Sequence, residues 1–322
     1  MQKLIPPATG DQVFVPDLNR QYFEASEFHP FQPDAPGFAL VNAWWLAEAS
    51  LLAYADEGFA RKEFTKAGLL LAGKQPLNGG AGKTTQCYVA HNDQIVIVAF
   101  RGSEFRRLNE LTTRLHDVVS DWLADAKFKL VQFEGGSFVH AGFVHEGFLG
   151  ALEEVWPQLE KTLQALPPER PVWFTGHSLG GALAQLAAAR WGPTRAVYTF
   201  GSPMVGDAEF AAHYRATHYR VVNNNDAVAG TQLFGRYKFL PGFYEHTGEL
   251  FYLDSNRQLR VKPELLERIT EGWRGSAELL LEALLHFATT RKLTLPIDQL
   301  NDHIPAYYAL HLWNNYEKSL SG

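Results

Sequence analysis

Cysteine is almost missing from this chain: among 322 residues only Cys87 carries a thiol. No internal disulfide can brace it, so a buried core has to hold the fold together. An excess of positive charge is missing as well. The 29 Lys and Arg residues are outnumbered by 35 Asp and Glu, giving a formal net charge of −6 with the acidic residues dispersed. No basic face is offered to a phosphate backbone or to an anionic membrane, and nucleic acid is not expected as a partner. Long apolar runs do not occur; even "AELLLEALLHFATT" is broken by Glu278 and Glu282, which argues against a membrane-spanning helix. The N-terminal "MQKLIPPATGD" has one lysine and then prolines where a secretory signal places its apolar run. The chain as written therefore reads as cytoplasmic, with secretion open if an export segment was removed. Repeats and low-complexity linkers are also lacking, so residues 1–322 read as one domain. The sequence does not fix an oligomeric state.

What is present is apolar and ordered by pattern. Hydrophobic residues make up 46% and aromatics 13% of the chain, enough to bury a large core. Residues 40 to 71, rich in Ala, Leu, Trp and Glu, read as helical. "QCYVAHNDQIVIVAFRGS" reads as two strands around an Asn-Asp turn, and "ALEEVWPQLEKTLQAL" as a helix ending at Pro167. From residue 171 the alternation becomes regular: strand "PVWFTGHS", helix "GGALAQLAAARW", strand "RAVYTFGSP", helix "AEFAAHYRAT", strand "HYRVVNNND". Strands and helices alternating at this spacing predict an α/β fold with a mainly parallel sheet covered on both faces.

The chemistry centres on Gly176-His177-Ser178-Leu179-Gly180. This G-x-S-x-G lies where a strand passes directly into a helix, a context that forces the serine into a strained turn with its Oγ exposed above the sheet. The small residues Gly180, Gly181, Ala182 and Ala184 let the helix approach the neighbouring strands closely. A serine hydroxyl is a weak nucleophile unless a positioned base takes its proton. His177 is adjacent on a sharp turn and points elsewhere; it reads as a packed, hydrogen-bonded neighbour. In such sheets the order is serine, acid, histidine. Asp226, after the apolar run and the turn "NNN", fits the acid; the rival Asp207 opens a helical segment and reads as its N-terminal cap. Four histidines follow Asp226. His246 reads as a strand residue in a segment that turns at "DSNRQ" and returns, while His286 and His311 sit in helical patterns. His303 follows the loop "LPIDQLND" just before the helix-like "PAYYALHLW" and is the expected base.

Taken together, "AFRGS" (99–103), "DWLAD" (121–125), "VHAGF" (139–143), "GHSLGGALA" (176–184), "FGSPMVGD" (200–207), "NNNDAV" (223–228) and "DHIPAYY" (302–308) resemble, in this order, the fungal-type class 3 lipases of the α/β-hydrolases. The resemblance runs from about residue 40 to the C-terminus. It implies Ser178 as nucleophile, Asp226 as orienting acid and His303 as general base. It also implies an oxyanion hole formed by Ser103 and the backbone N–H of Leu179. The implied activity is a serine carboxylester hydrolase on lipid esters, a triacylglycerol lipase or esterase meeting its substrate at a lipid–water interface, with no metal and no cofactor. Phospholipase A1, monoacylglycerol lipase and feruloyl esterase are the alternatives within the class. Unlike secreted fungal members, the chain shows no export signal or disulfide, and its stretches 103–121 and 226–303 are longer than the family pattern.

"GGAGKTT" (79–85) imitates a phosphate-binding loop, but Leu77 stands where glycine is needed and a strand follows where a helix should. A lipase-like fold kept as a non-catalytic interaction module is the rival from another class. In 104–122, Leu108, Leu111, Leu115, Val118 and Trp122 recur at three- and four-residue steps, predicting an amphipathic helix that serves as a lid, with the helical stretch 264–290 as the rival cover.

Overall fold

The computed structural model describes residues 16–79, 84–102, 129–135, 142–224, 226, 228–229, 244–261 and 302–321. The proposed lid 104–122, its rival 264–290, His286 and Ser103 lie outside the described residues. In chain order the helices are α1 (Leu40–Leu52), α2 (Glu57–Lys66), α3 (Glu146–Gln164), α4 (Leu179–Trp191), α5 (Ala208–His213) and α6 (Pro305–Ser321). The strands are β1 (Leu70–Leu71), β2 (Leu77–Asn78), β3 (Gln86–His91), β4 (Val96–Phe100), β5 (Leu130–Gln132), β6 (Phe143–His145), β7 (Val172–His177), β8 (Thr194–Phe200), β9 (Gly206–Asp207), β10 (His218–Asn223), β11 (Tyr244–Glu245), β12 (Glu249–Leu253) and β13 (Leu259–Val261).

The main sheet runs β1-β3-β4-β7-β8-β10-β12-β13, with β2 paired to β3. Its centre, β4 through β12, is parallel, and the pairs at the two margins are antiparallel. Side chains alternate across this sheet as the two-residue period requires. Ile97, Trp173, Tyr198 and Val221 face one layer, in which α1 and α6 pack together. Val98, Phe174 and Val197 face the other, against α3 and α4. Helix α1 is buried at every position from Val41 to Leu52, so it is apolar on all sides rather than along one stripe. At about 1.5–3 kcal/mol for each large apolar side chain withdrawn from water, Trp44, Leu46 and Leu51 alone contribute several kcal/mol. The Asn-Asp turn between β3 and β4 is closed by Asn92 Oδ1, which accepts from the N–H of Gln94 and of Ile95.

Several boundaries differ from the pattern reading. Residues 40–71 divide into α1, α2 and the short strand β1, because Asp56 caps a new helix through the Phe59 N–H. Helix α3 begins earlier, at Glu146, where His145 Nδ1 accepts from Gly147 and Phe148 N–H, and it continues through Pro157 with Val155, Trp156 and Leu159 buried on either side. Helix α5 ends at His213 rather than running to Thr217. A small antiparallel sheet, β11-β9-β6-β5, was not foreseen. His246 follows the two-residue β11 instead of lying within a strand, although the return through residues 254–258 into β13 is as expected.

Candidate active site

Parallel strands place their carboxyl ends on one edge of the sheet, where reactive groups of α/β proteins collect. Strand β7 ends at His177, and Ser178 turns the chain into α4 at φ 56° and ψ −129°. A non-glycine residue held at positive φ is strained, and here the turn leaves no alternative. A Cβ at Gly176 would collide with the backbone of Gly180 and Gly181, and one at Gly180 with the Phe100 carbonyl at the end of β4. The two glycines thus let α4 start directly against β7 and β4, with Ser178 at the junction. The first N–H groups of a helix have no intrahelical acceptor, and Leu179 is the first residue of α4.

The structure brings Ser178, Asp226 and His303 together. His303 Nε2 lies 3.0 Å from Ser178 Oγ, and its Nδ1 lies 2.9 Å from both oxygens of Asp226. A carboxylate only accepts, so Nδ1 carries the hydrogen and Nε2 is left to accept from the serine. The whole relay is withdrawn from water, with Ser178, Asp226 and His303 at 4%, 0% and 1% exposure. A buried carboxylate is costly unless satisfied. Asp226 Oδ1 also accepts from the N–H groups of Val228 (2.9 Å) and Ala229 (3.1 Å), and Oδ2 accepts from the Tyr308 hydroxyl. Burial, reinforced by Asp226, pushes the Tyr308 phenol well above its ordinary pKa, so it stays protonated as a donor. The same hydroxyl accepts from the Asn223 N–H.

His177 is held on both ring nitrogens beside this group. Its Nε2–H donates to the His303 carbonyl at 2.7 Å, and Nδ1 accepts from the Tyr54 hydroxyl at 3.3 Å. Burial first, and then the nearby His303, hold its pKa well below the ordinary histidine value and keep it neutral. Asp207 caps α5 by accepting from the Phe210 N–H. Tyr308, Gly201, Tyr54, Asn223 and Asp302 were missed in the sequence. Gly201 follows β8 at φ 57°, and a Cβ there would stand 2.5 Å from Asp226 Oδ2 and 3.0 Å from His303 Nδ1. Among the described residues no cluster of His, Cys, Asp and Glu suits a metal ion, and no helix is long and apolar enough to cross a membrane.

A strained serine on a strand-to-helix elbow, backed by a carboxylate after a later strand and a histidine just ahead of the last helix, is the arrangement of the α/β-hydrolases. Residues 97–235 match the family described as Lipase (class 3). Secreted mono- and diacylglycerol lipase 1 of Fusarium solani is 37% identical over 122 residues, covering 34% of each chain. Phospholipase A1-Igamma1, chloroplastic, of Arabidopsis thaliana is 27% identical, covering 70% of this chain and 52% of that one. The crystal structure of a mutant form of MDLA from Penicillium cyclopium superposes with a TM-score of 0.52 at 20% identity, covering 85% of this chain and 96% of that one; it shares the fold. The chain is thus similar to the class 3 lipases over residues 97–235 and shares the α/β-hydrolase fold. It spans about a third of the length of the Fusarium relative and about half that of the Arabidopsis one.

Proposed function

We propose that the protein is a serine carboxylester hydrolase acting on lipid esters, with Ser178 as nucleophile, His303 as general base and Asp226 as the acid that orients it. Ser178 Oγ attacks the ester carbonyl as its proton passes to His303 Nε2. The tetrahedral intermediate collapses, the protonated histidine hands its proton to the departing alkoxide, and the acyl group remains on Ser178. Water, deprotonated by the same histidine, then attacks the acyl-enzyme, and the acid leaves as Ser178 regains its proton. Asp226 holds Nδ1–H throughout, which fixes the tautomer and stabilises the imidazolium. The Leu179 N–H, at the start of α4, and Ser103 would receive the oxyanion; each such donor contributes about 3–4 kcal/mol to the transition state.

The observation that carries this reading is the continuous relay from Ser178 through His303 to Asp226. Triacylglycerols and shorter acyl esters are the leading substrates; the names of the relatives keep mono- and diacylglycerols and phospholipids beside them. The test is capture by a serine-directed fluorophosphonate, with the adduct mapped by peptide mass, followed by hydrolysis of p-nitrophenyl esters of increasing chain length and of a phospholipid. Adduct formation at Ser178, abolished in Ser178→Ala, is expected. A folded protein that neither reacts nor hydrolyses any ester would favour a non-catalytic interaction module.

A further inference from the structure

The base and the acid of the relay come from loops 77 residues apart, and their relative position has to be held by something other than the bond between them. Asp302, peptide-bonded to His303, is buried at 4% exposure. Its backbone carbonyl accepts from Asn223 Nδ2 at 2.9 Å, and its carboxylate accepts from Asn224 Nδ2 at 3.0 Å and from Arg257 Nη1 at 2.7 Å. Asn223 ends β10, the strand that delivers Asp226, and its own Oδ1 accepts from the same Arg257 Nη1 at 2.9 Å. One guanidinium nitrogen thus joins the acid's strand to the base's loop. Asn223 is engaged a third time, because its N–H donates to the Tyr308 hydroxyl that holds Asp226.

Arg257 is itself set for this task. It lies in the turn between β12 and β13 at φ 62°, a left-handed conformation that non-glycine residues rarely adopt. The turn is held by the Arg257 N–H donating to the Asp254 carbonyl and by Asn315 of α6, whose Nδ2 donates to the Arg257 carbonyl at 2.8 Å. Asn315 Oδ1 in turn accepts from the Leu259 N–H. Strain kept at one residue by bonds from two elements points to a side chain whose direction matters.

We propose that Arg257 and Asp302 form an ionic latch that positions His303 against Asp226, which makes Arg257 a positioning residue for the reaction read above and rests on that reading. The latch acts through the Asp302 backbone, which carries His303, and through Asn223. Breaking it alters none of the three reacting side chains but lets His303 shift against Asp226. The expected signature is a loss in kcat with little change in KM, since substrate contacts are untouched.

The test measures kcat, KM and thermal midpoint for wild type, Arg257→Met, Arg257→Lys, Asp302→Asn and the double variant Arg257→Met with Asp302→Asn. Arg260→Met serves as the control, because Arg260 pairs with Asp254 in the same hairpin. Arg257→Met should lower kcat about tenfold at nearly constant KM, short of the roughly hundredfold that a displacement of an ångström can cause. Arg257→Lys keeps the charge on a shorter, more mobile arm, so it should fall between, and it remains informative where Arg257→Met folds poorly. The double variant should lose no more kcat than the worse single one, since both remove one contact. Arg260→Met should retain wild-type kcat. Wild-type activity together with unaltered kcat in folded Arg257→Met or Arg257→Lys would overturn the latch, as would equal losses in the Arg257 and Arg260 variants. A wild type inert to esters and to the fluorophosphonate would instead overturn the reading of the site, and the latch with it.

Discussion

Gly201 offers a sharp test of how tightly the relay is packed. An alanine there would place its Cβ 2.5 Å from Asp226 Oδ2, 3.0 Å from His303 Nδ1 and 3.1 Å from the Tyr308 hydroxyl, while the backbone sits at φ 57°. Ordinary contact begins near 3.4 Å, so the carboxylate oxygen has to withdraw by about 0.9 Å or the strand end has to move. Oδ1 is tied to the Val228 and Ala229 N–H groups; the carboxylate therefore swings about that anchor, which pulls Oδ2 off His303 Nδ1, while the same Cβ, 3.0 Å from Nδ1, pushes the imidazole away from the oxygen that remains. Displacement of this order costs about 10² in rate, and the ceiling is the roughly 10⁴ lost when the acid cannot orient its histidine. The left-handed backbone adds only about 1–2 kcal/mol of destabilisation. Gly201→Ala should thus be folded, melt several degrees lower, and show a kcat on p-nitrophenyl butyrate reduced about a hundredfold. Gly150→Ala, where a Cβ meets nothing within 4 Å on α3, should keep its activity and gain up to about 1 kcal/mol of stability. A folded Gly201→Ala with kcat within threefold of wild type would refute the reasoning.

The other predictions can be checked with the same assay. Ser178→Ala should lower kcat by about 10⁶ and Asp226→Asn by about 10⁴, on the pattern of other triads; losses of one order or less in folded variants would remove these residues from their assigned roles. His303→Ala should cost far more than His246→Ala, and equal losses would overturn the choice of base. Stability should fall with acid through buried neutral histidines. Burial, followed by Arg220, pushes His218 down to about 3, and burial, followed by Arg257, pushes His311 down to about 4. Below the unfolded value of 6.5 the unfolded chain binds protons that the native state refuses. Their contribution is therefore complete above about pH 6.5 and declines by about 1.4 kcal/mol per pH unit per histidine until each folded pKa is reached. Urea unfolding at pH 7 and pH 5 should show this loss, and His218→Gln, keeping some contact with Thr199 and Thr247, should reduce it. Equal slopes in wild type and variant would exclude His218 as a contributor.

Much of the site was legible because its signals are local. A strained serine needs small neighbours within two residues on either side, and Gly176 and Gly180 stand there. A cap needs an acceptor at a helix start, which separated Asp207 from Asp226. The two-residue and 3.6-residue periods gave β7, α4, β8 and β10 nearly to their ends. Where packing overrides local preference the reading slipped, as at α3, which already buries Phe148 in its first turn and runs through Pro157.

The sequence by itself determined the class of fold, the elbow at Ser178 and the order of its partners, because these follow from periodicity and from chemistry confined to a few neighbouring residues. Only the tertiary structure decided how the partners are held. Tyr308 reaches Asp226 across 82 residues, Arg257 joins Asn223 and Asp302 across 34 and 45, and Gly201 matters only because two loops close over it. No local pattern encodes such contacts. They arise when the strands of a parallel sheet deliver distant loops to one edge, where each buried polar group has to find its partner among whatever the fold brings near.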